Sequence, residues 1–268
     1  MTSRQPRQVE WHHQWSMFSD EETSLFHDWI EPNRLSDFRG KDVLEAGCGG
    51  GHHTALIAGV AHFVTAVDLN TADLARRRNL DLDNAEFLEA DISSMALARR
   101  FDVAISIGVL HHTDDPDAAV ANLARHLRPG GRLILWVYSD EGNEIMKRVV
   151  EPLRRRLLTR LDRRWLRLLA QVVTATLYPI AHTVYRLPLS SLPYFQYMAG
   201  FRRLPFGRNT LNVFDKLNAP QTVFIQRERV ERWLPPTEFV ERHVSSYRGV
   251  SWRASGTKRR TGEEGTEY

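Results

Sequence analysis

The nine residues Val43-Leu44-Glu45-Ala46-Gly47-Cys48-Gly49-Gly50-Gly51 pass from an apolar run into a cluster of glycines. A glycine-rich turn between a first strand and a first helix lets a ligand approach the backbone closely. The commonest turn of this kind reads G-x-G-x-x-G and binds a dinucleotide. Here His52 stands at the third glycine position, and Glu45 would repel a pyrophosphate but attract a ligand with an ammonium and a sulfonium. No Gly-Lys-Ser or Gly-Lys-Thr follows, so a phosphate-binding Walker loop is also excluded.

Short β-branched runs alternate with helical stretches around this turn. The predicted strands are 42–46, 63–68, 86–91, 102–107 and 132–138, and the predicted helices are 54–59, 72–79 and 117–127. Strands that alternate with helices indicate a parallel sheet covered on both faces. Near the end of the chain, the pattern predicts a helix over 228–233. A hairpin follows, with strands over 240–246 and 250–254 and its turn at 247–249.

Acidic residues stand at the ends of the first three predicted strands. Asp68 closes the second strand, where a carboxylate can accept hydrogen bonds from ribose hydroxyls. Asp91 closes the third and is followed by Ile92, an acceptor beside an apolar surface that suits the amino edge and ring of adenine. A single acidic residue at a strand end is often only solvated. Glu45, Asp68 and Asp91 together indicate a binding site, because ligands of such sheets sit at the carboxyl ends of the strands.

Five segments in this order resemble the motifs of class I S-adenosylmethionine-dependent methyltransferases. They are Leu44 to Gly51, Val67-Asp68-Leu69, Glu89-Ala90-Asp91-Ile92, Phe101-Asp102-Val103 through Gly108-Val109-Leu110-His111-His112, and Leu127-Arg128-Pro129-Gly130-Gly131. The resemblance covers about residues 40–138. It implies a Rossmann-like, doubly wound α/β fold with a seven-stranded sheet and an antiparallel last strand. Leu234-Pro235-Pro236-Thr237-Glu238-Phe239 replaces the family's Ala-Gly-Phe turn before the sixth strand, which leaves that boundary open.

The same resemblance implies S-adenosyl-L-methionine as the cofactor and S-adenosyl-L-homocysteine as its product. The first strand end and the glycine turn would face the methionine part, the second strand end the ribose, the third the adenine, and the fourth the reactive methyl. The residues assigned in this way are Glu45, Gly47, Cys48, Gly49, Gly51, Asp68, Leu69, Asp91, Ile92, Ile107 and Gly108. We interpret Cys48 as a small packing residue and not as a nucleophile.

Methyl transfer is an in-line displacement at carbon, which requires alignment and no metal. His111 and His112 follow the fourth strand, and a histidine with a pKa of about 6.5 is suited to take a proton from a hydroxyl. The alternative is that they cap the next helix or hold the loop. His52 and His53 are neighbours on a helix and point in different directions, so no metal site is predicted.

Two aromatic residues are predicted to line the substrate pocket. Trp15 belongs to a segment that precedes the sheet, and in related enzymes an N-terminal helix folds over the cofactor. Tyr138 ends the fifth strand at the same rim. Ordinary core packing is the alternative for Trp15.

After Tyr138 the chain becomes helical, basic and punctuated by prolines, which predicts a cap over 141–220. Nine basic residues lie between Lys147 and Arg167, and apolar residues recur there at helical spacing, at Leu153, Leu157, Leu161, Leu168 and Val172. A solvated cap helix explains this pattern. The alternatives are contact with an anionic membrane surface, with an anionic substrate or with RNA, and a contact between two copies of the chain.

The whole chain is divided accordingly. An N-terminal helical segment over the cofactor (1–40) precedes the Rossmann-like core (41–140) and the cap, and the sheet is completed by 221–256 before a disordered tail (257–268). The chain has 268 residues, of which 42% are hydrophobic and 26% charged, which is ordinary for a soluble globular protein. Its single cysteine excludes an internal disulfide and fits the cytoplasm. The longest uncharged apolar stretch, 168–181, is shorter than the roughly 20 residues that span a bilayer.

The sequence therefore predicts methyl transfer to an oxygen or nitrogen of a small molecule, such as a natural product or a sugar. An RNA or lipid acceptor at the basic cap is the alternative. RNA is disfavoured, because the net charge is only +3 and 108–112 does not read Asn/Asp-Pro-Pro-Tyr, the motif used on adenine amino groups. A protein of another class would bind S-adenosylmethionine without methyl transfer. The presence of Glu45, Asp68 and Asp91 argues against a pocket that no longer binds the cofactor, but it does not exclude a different reaction of the bound cofactor.

Overall fold

A computed structural model describes residues 25–158, 161–219 and 221–260 of the chain. The strands are β1 Asp42–Ala46, β2 Phe63–Asp68, β3 Ala85–Glu89, β4 Phe101–Ile107, β5 Leu127–Tyr138, β6 Phe239–Tyr247 and β7 Ser251–Lys258. The α-helices are α1 Phe26–Ile30, α2 His52–Ala58, α3 Ala72–Arg78, α4 Pro116–His126, α5 Glu151–Arg156, α6 Arg163–Thr183, α7 Phe195–Phe201, α8 Phe206–Asn218 and α9 Arg227–Arg232.

The strands form one seven-stranded sheet in the order β3-β2-β1-β4-β5-β7-β6. The first five strands pair in parallel, and β7 runs antiparallel between β5 and β6. The predicted fold class is therefore confirmed, including the hairpin at the end of the chain. The strand order reverses between β1 and β4, and such a switch point opens a crevice at the carboxyl ends of the strands.

Several predicted boundaries differ from the structure. The third strand ends at Glu89, so Asp91 follows the strand and does not close it. The predicted helix 117–127 and strand 132–138 leave 128–131 between them, but β5 begins at Leu127 and these residues bulge out of its pairing with β4. The predicted tail begins two residues too early, because Thr257 still pairs with Arg132 and Lys258 with Phe239. Residues 261–268 lie outside the described part of the chain.

Helix ends follow the local sequence. The Asp115 carboxylate accepts hydrogen bonds from the backbone N–H groups of Asp117 and Ala118, and Pro116 occupies the first turn of α4. Asp162 caps α6 in the same way through the N–H of Arg164. Helix α6 continues through Pro179, although proline lacks the N–H of a regular helix. None of the described helices is long and apolar enough to cross a membrane.

Separate groups of buried side chains stabilise the fold, and three of them are large. One face of the sheet packs around Leu44, Leu123 and Leu133, and the other around Phe26, Ile57 and Ile134. The helices after β5 have a core of their own, made of Leu158, Leu166, Ala170, Ala181, Met198, Phe201, Val213 and Phe214. We call the segment with this core, residues 141–220, the cap.

Gly47 turns the chain after β1 with a φ of +82°, and a Cβ added there would lie 2.3 Å from Cγ2 of Val109. We expect Gly47→Ala to lower the free energy of unfolding by roughly 2–5 kcal/mol, because left-handed backbone and overpacking both cost energy. Gly40 is the matched control, since its φ is +68° and nothing lies within 4 Å of the added Cβ. Urea unfolding of Gly40→Ala should give a loss of roughly 1–2 kcal/mol. Equal losses would contradict the close approach at Gly47.

Candidate active site

A cavity of about 530 Å³ opens at the carboxyl edge of the sheet, between the strand ends and the cap. This volume lies within the range of small-molecule sites. Nine of the residues predicted from the sequence line it: Gly47, Asp68, Leu69, Asp91, Ile92, Ile107, Gly108, His112 and Tyr138. Five others lie near it without lining it: Glu45, Cys48, Gly49, Gly51 and His111. Trp15 lies outside the described residues.

Asp68 connects the glycine turn to the end of β2. One carboxylate oxygen accepts a hydrogen bond from the N–H of Gly49 (3.0 Å), and the other accepts from the N–H groups of Asn70 (3.0 Å) and Thr71 (3.1 Å). Gly49 and Gly51 both have positive φ values, of +54° and +79°. The carboxylate thus fixes the glycine turn and faces the cavity at the same time.

Glu45 lies beneath the turn and is only 4% exposed. Its carboxyl group accepts a hydrogen bond from the Thr54 hydroxyl of α2. Burial raises the pKa of Glu45 to about 8, and the negative charge of Asp68 adds to this shift while the Thr54 hydrogen bond opposes it. A cation bound beside Glu45 would therefore favour its ionised form.

The raised pKa of Glu45 makes the stability of the ligand-free protein depend on pH. The folded state holds this proton more tightly than the unfolded chain, so the stabilisation is complete below about pH 4.5 and is lost as the pH rises through about 8. Over this interval the unmodified protein should lose roughly 2–4 kcal/mol of its free energy of unfolding, and Glu45→Gln should not show this loss. Urea unfolding of both proteins between pH 5 and 9 tests this, and parallel pH curves would contradict it.

Asp91, Leu69 and Ile92 form the adenine side of the predicted site. The Asp91 side chain is exposed and accepts a hydrogen bond from the N–H of Ser93 at 2.8 Å. Leu69 is 41% exposed and leaves an apolar surface on the cavity wall. The structure thus brings a carboxylate and an apolar surface together, as the sequence predicts.

The two neighbouring histidines have different surroundings. His111 is 1% exposed, and its Nδ1 accepts a hydrogen bond from the N–H of Tyr138 at 3.3 Å. Burial lowers the pKa of His111 well below its ordinary value. His112 lines the cavity, and its Nδ1 lies 2.6 Å from the carbonyl oxygen of Gln221. Of the two histidines, His112 therefore faces the cavity, whereas the buried His111 ring bonds to the backbone at Tyr138.

The hydrogen bond at Nδ1 also fixes the tautomer of His112. A carbonyl oxygen only accepts, so Nδ1 carries the proton and Nε2 is the acceptor nitrogen. Burial lowers the pKa of His112, although the charge of Asp215 and the Gln221 carbonyl partly oppose this shift. The imidazole is consequently neutral near pH 7.

The cap supplies polar groups that the sequence analysis did not assign to the site. The Tyr138 hydroxyl donates to Asp215 of α8 at 3.3 Å, and Lys216 Nζ lies 5.5 Å from the Tyr138 ring. Arg154, counted above among the basic residues of the cap, is only 2% exposed, is paired with Glu151 and lines the cavity. The three-residue spacing of Glu151 and Arg154 is the signal that could have indicated this pair.

Two tryptophans form the aromatic wall of the cavity. Trp29 of α1 and Trp136 of β5 both line it, with ring centroids 5.0 Å apart. The indole N–H of Trp136 is buried, and no described residue accepts a hydrogen bond from it. A buried donor without a partner on a cavity wall can bind an acceptor atom of a ligand.

In the part of the chain that the structure describes, neither a metal site nor a reactive thiol is found near the cavity. Among the described residues, no three His, Cys, Asp or Glu side chains come together as metal ligands. Cys48 is buried, and burial raises the pKa of its thiol well above the ordinary value. This supports the interpretation of Cys48 as a packing residue.

Comparison with known proteins covers mainly the sheet. Residues 44–135 match the family model of a methyltransferase domain. The chain is 33% identical to the tRNA U34 carboxymethyltransferase of Pseudoalteromonas translucida (41% of this chain and 36% of that protein). It is 32% identical to the ubiquinone biosynthesis O-methyltransferase of Thiobacillus denitrificans (47% and 62%). The chain therefore spans less than two thirds of the length of either relative.

A solved structure resembles a larger part of the chain. An O-methyltransferase family protein from Burkholderia thailandensis superimposes with a TM-score of 0.52 and 13% identity, over 91% of this chain and 58% of that one. At this identity the likeness concerns the fold. Together with the family model and the sheet order, it confirms the resemblance drawn from the five sequence motifs: residues 44–135 match a methyltransferase domain, and the sheet to which they belong has the class I fold.

Proposed function

We propose that the chain transfers a methyl group from S-adenosylmethionine to an oxygen or nitrogen of a small molecule. One observation carries this proposal: a single cavity is lined both by the residues predicted for the cofactor and by His112, Trp136 and Tyr138. The residues proposed to bind the cofactor and those proposed to bind the acceptor thus line the same cavity. The cap closes this space over the sheet.

The residues of the sheet edge fit the proposed cofactor. Asp68 would hold the ribose, and Asp91, with Leu69 and Ile92, the adenine. The close backbone approach at Gly47 and the buried carboxyl group of Glu45 suit the positively charged methionine part. S-adenosylmethionine, when bound, supplies an electrophilic methyl group on a cationic sulfur.

His112 is the proposed general base. With a proton on Nδ1, its Nε2 would take the proton of an acceptor hydroxyl as the oxygen attacks the methyl carbon and the C–S bond breaks, which leaves a neutral thioether. An amine acceptor would attack in its unprotonated form and lose its proton after the transfer. The hydrogen bond to Gln221 holds the ring in this orientation. The Trp136 indole N–H would donate to the acceptor molecule and align it, which favours an acceptor with an oxygen or an unprotonated nitrogen beside the reacting atom.

The shape of the cavity favours a small molecule over RNA. A space of about 530 Å³, lined by residues of the sheet edge and of the cap, must hold cofactor and acceptor together. A natural product or a sugar is therefore the proposed acceptor class. The cytoplasmic location and the homodimer stay predictions.

Two measurements test this proposal. Calorimetric titration with S-adenosylmethionine and with S-adenosylhomocysteine should give one site for each. Incubation with methyl-labelled cofactor and a panel of hydroxylated and amine-bearing small molecules should then label at least one acceptor, with tRNA as the comparison. Binding of a dinucleotide but of neither cofactor form would contradict the proposal, and transfer to tRNA alone would replace the acceptor class.

A further inference from the structure

Helix α6 has an apolar side that faces away from the protein. Leu166, Ala170 and Thr174 are buried, and Val173 and Leu177 line the cavity. On the opposite side, Trp165 is 62% and Val172 is 54% exposed, and Leu168 and Ile180 are exposed with them. A helix of 21 residues is about 30 Å long. The exposed apolar side chains therefore extend along most of a long helix, and we call them the outer face of α6.

The charges at the start of the outer face are mostly positive. Residues 163–183 contain Arg163, Arg164 and Arg167 but no aspartate or glutamate, and 168–181 are uncharged. Asp162, which caps the helix, pairs with Arg164. Helix α5, which precedes α6 in the chain, also ends in exposed arginines, Arg155 and Arg156. Apolar side chains flanked by arginine and tryptophan are typical of helices that lie in the interface of an anionic membrane.

We propose that the outer face of α6 docks the protein onto the surface of an anionic lipid bilayer. Trp165, Leu168 and Val172 would enter the headgroup and acyl boundary, and the arginines at the start of the helix would contact lipid phosphates. Charge complementarity favours this partner over a second copy of the chain, because residues 163–183 of a second copy offer no acidic side chain to Arg163, Arg164 and Arg167. It also favours lipid over RNA, because a phosphate backbone leaves the apolar side chains in water.

The full chain can be tested by flotation with phosphatidylcholine vesicles, with and without phosphatidylglycerol. We expect it to float with the anionic vesicles only and to be partly released by salt. The double variant Trp165→Ser/Val172→Ser should bind at least about tenfold more weakly, because it loses two buried apolar side chains. Arg156→Gln/Arg164→Gln should also lose roughly tenfold or more, at about 1 kcal/mol for each arginine converted to a binding constant.

Leu80→Ser is the matched control, because Leu80 is 75% exposed and lies on the sheet domain, away from the cap. It should float like the unmodified chain, and circular dichroism should show that all variants are folded. Absence of flotation by the unmodified chain, or flotation of the Trp165/Val172 variant at full strength, would overturn the proposal. If vesicles are not bound, two results would identify another partner. One is a dimer in analytical ultracentrifugation that the Trp165/Val172 variant abolishes, which indicates a second copy of the chain. The other is salt-sensitive binding of RNA.

Discussion

The His112→Asn variant is expected to lose methyl-transfer turnover by about 10²–10⁴-fold, the usual contribution of a general base. The asparagine amide can still donate to the Gln221 carbonyl, which His112 contacts at 2.6 Å, so the loop keeps its hydrogen bond while the acceptor nitrogen is removed. The affinity for S-adenosylmethionine should not change. Initial rates at saturating cofactor, together with calorimetric titration, measure the two effects separately.

His111→Asn is the neighbouring control, since His111 is buried and does not line the cavity. Its effect should appear mainly in thermal stability, with turnover within a few-fold of the unmodified chain. The pH profile adds a second readout. Burial lowers the pKa of His112, so turnover should persist as the pH falls below about 6.5 and decline only at lower pH. A larger loss of turnover in the His111 variant than in the His112 variant would reverse the assignment.

The second large effect is expected for Asp68→Ala, which should weaken S-adenosylmethionine binding by roughly 1.5–3 kcal/mol, or about 10- to 150-fold in Kd. A carboxylate has about four acceptor positions, and three of them already serve the N–H groups of Gly49, Asn70 and Thr71. Two ribose hydroxyls would therefore have to share at least one oxygen lone pair with the backbone. Binding and loop geometry are coupled at this residue.

Asp68→Asn separates the two contributions, because it retains one acceptor oxygen for the backbone and loses the charge. Urea unfolding reports the loop, and calorimetry reports the cofactor. Glu89→Ala is the control, because Glu89 also ends a strand but does not line the cavity. An unchanged Kd in Asp68→Ala would remove Asp68 from the site, whatever the loss of stability.

The sheet could be predicted from the sequence because its signals are local and repeated. Alternation of strands and helices gives the parallel order, and the acidic strand ends mark the edge where ligands bind. The start of β5 was misplaced because Pro129, Gly130 and Gly131 are common in turns, whereas here pairing with β4 continues across them as a bulge. Only tertiary pairing distinguishes the two arrangements.

The candidate site was only partly predictable for a similar reason. His111 and His112 lie in one short 3₁₀ turn, Leu110–His112, and neighbouring residues of such a turn point in different directions. The sequence does not say which of them faces the cavity. Arg154, Asp215 and Lys216 come from the cap, where no repeating strand pattern fixes the position of a side chain relative to the sheet.

The separate core of the cap has a consequence for how the protein opens and how it can diverge. Its buried residues, from Leu158 to Phe214, share no member with the cores on the two sides of the sheet. Segments whose side chains pack among themselves can open as cooperative units, in which the backbone amides exchange their hydrogens together. We expect the amide hydrogens of the cap to exchange as one unit, separately from those of the sheet. For the same reason, substitutions in the core of the cap should change the stability of the cap with little effect on the sheet, so the acceptor side of the proposed reaction can diverge while the sheet is retained.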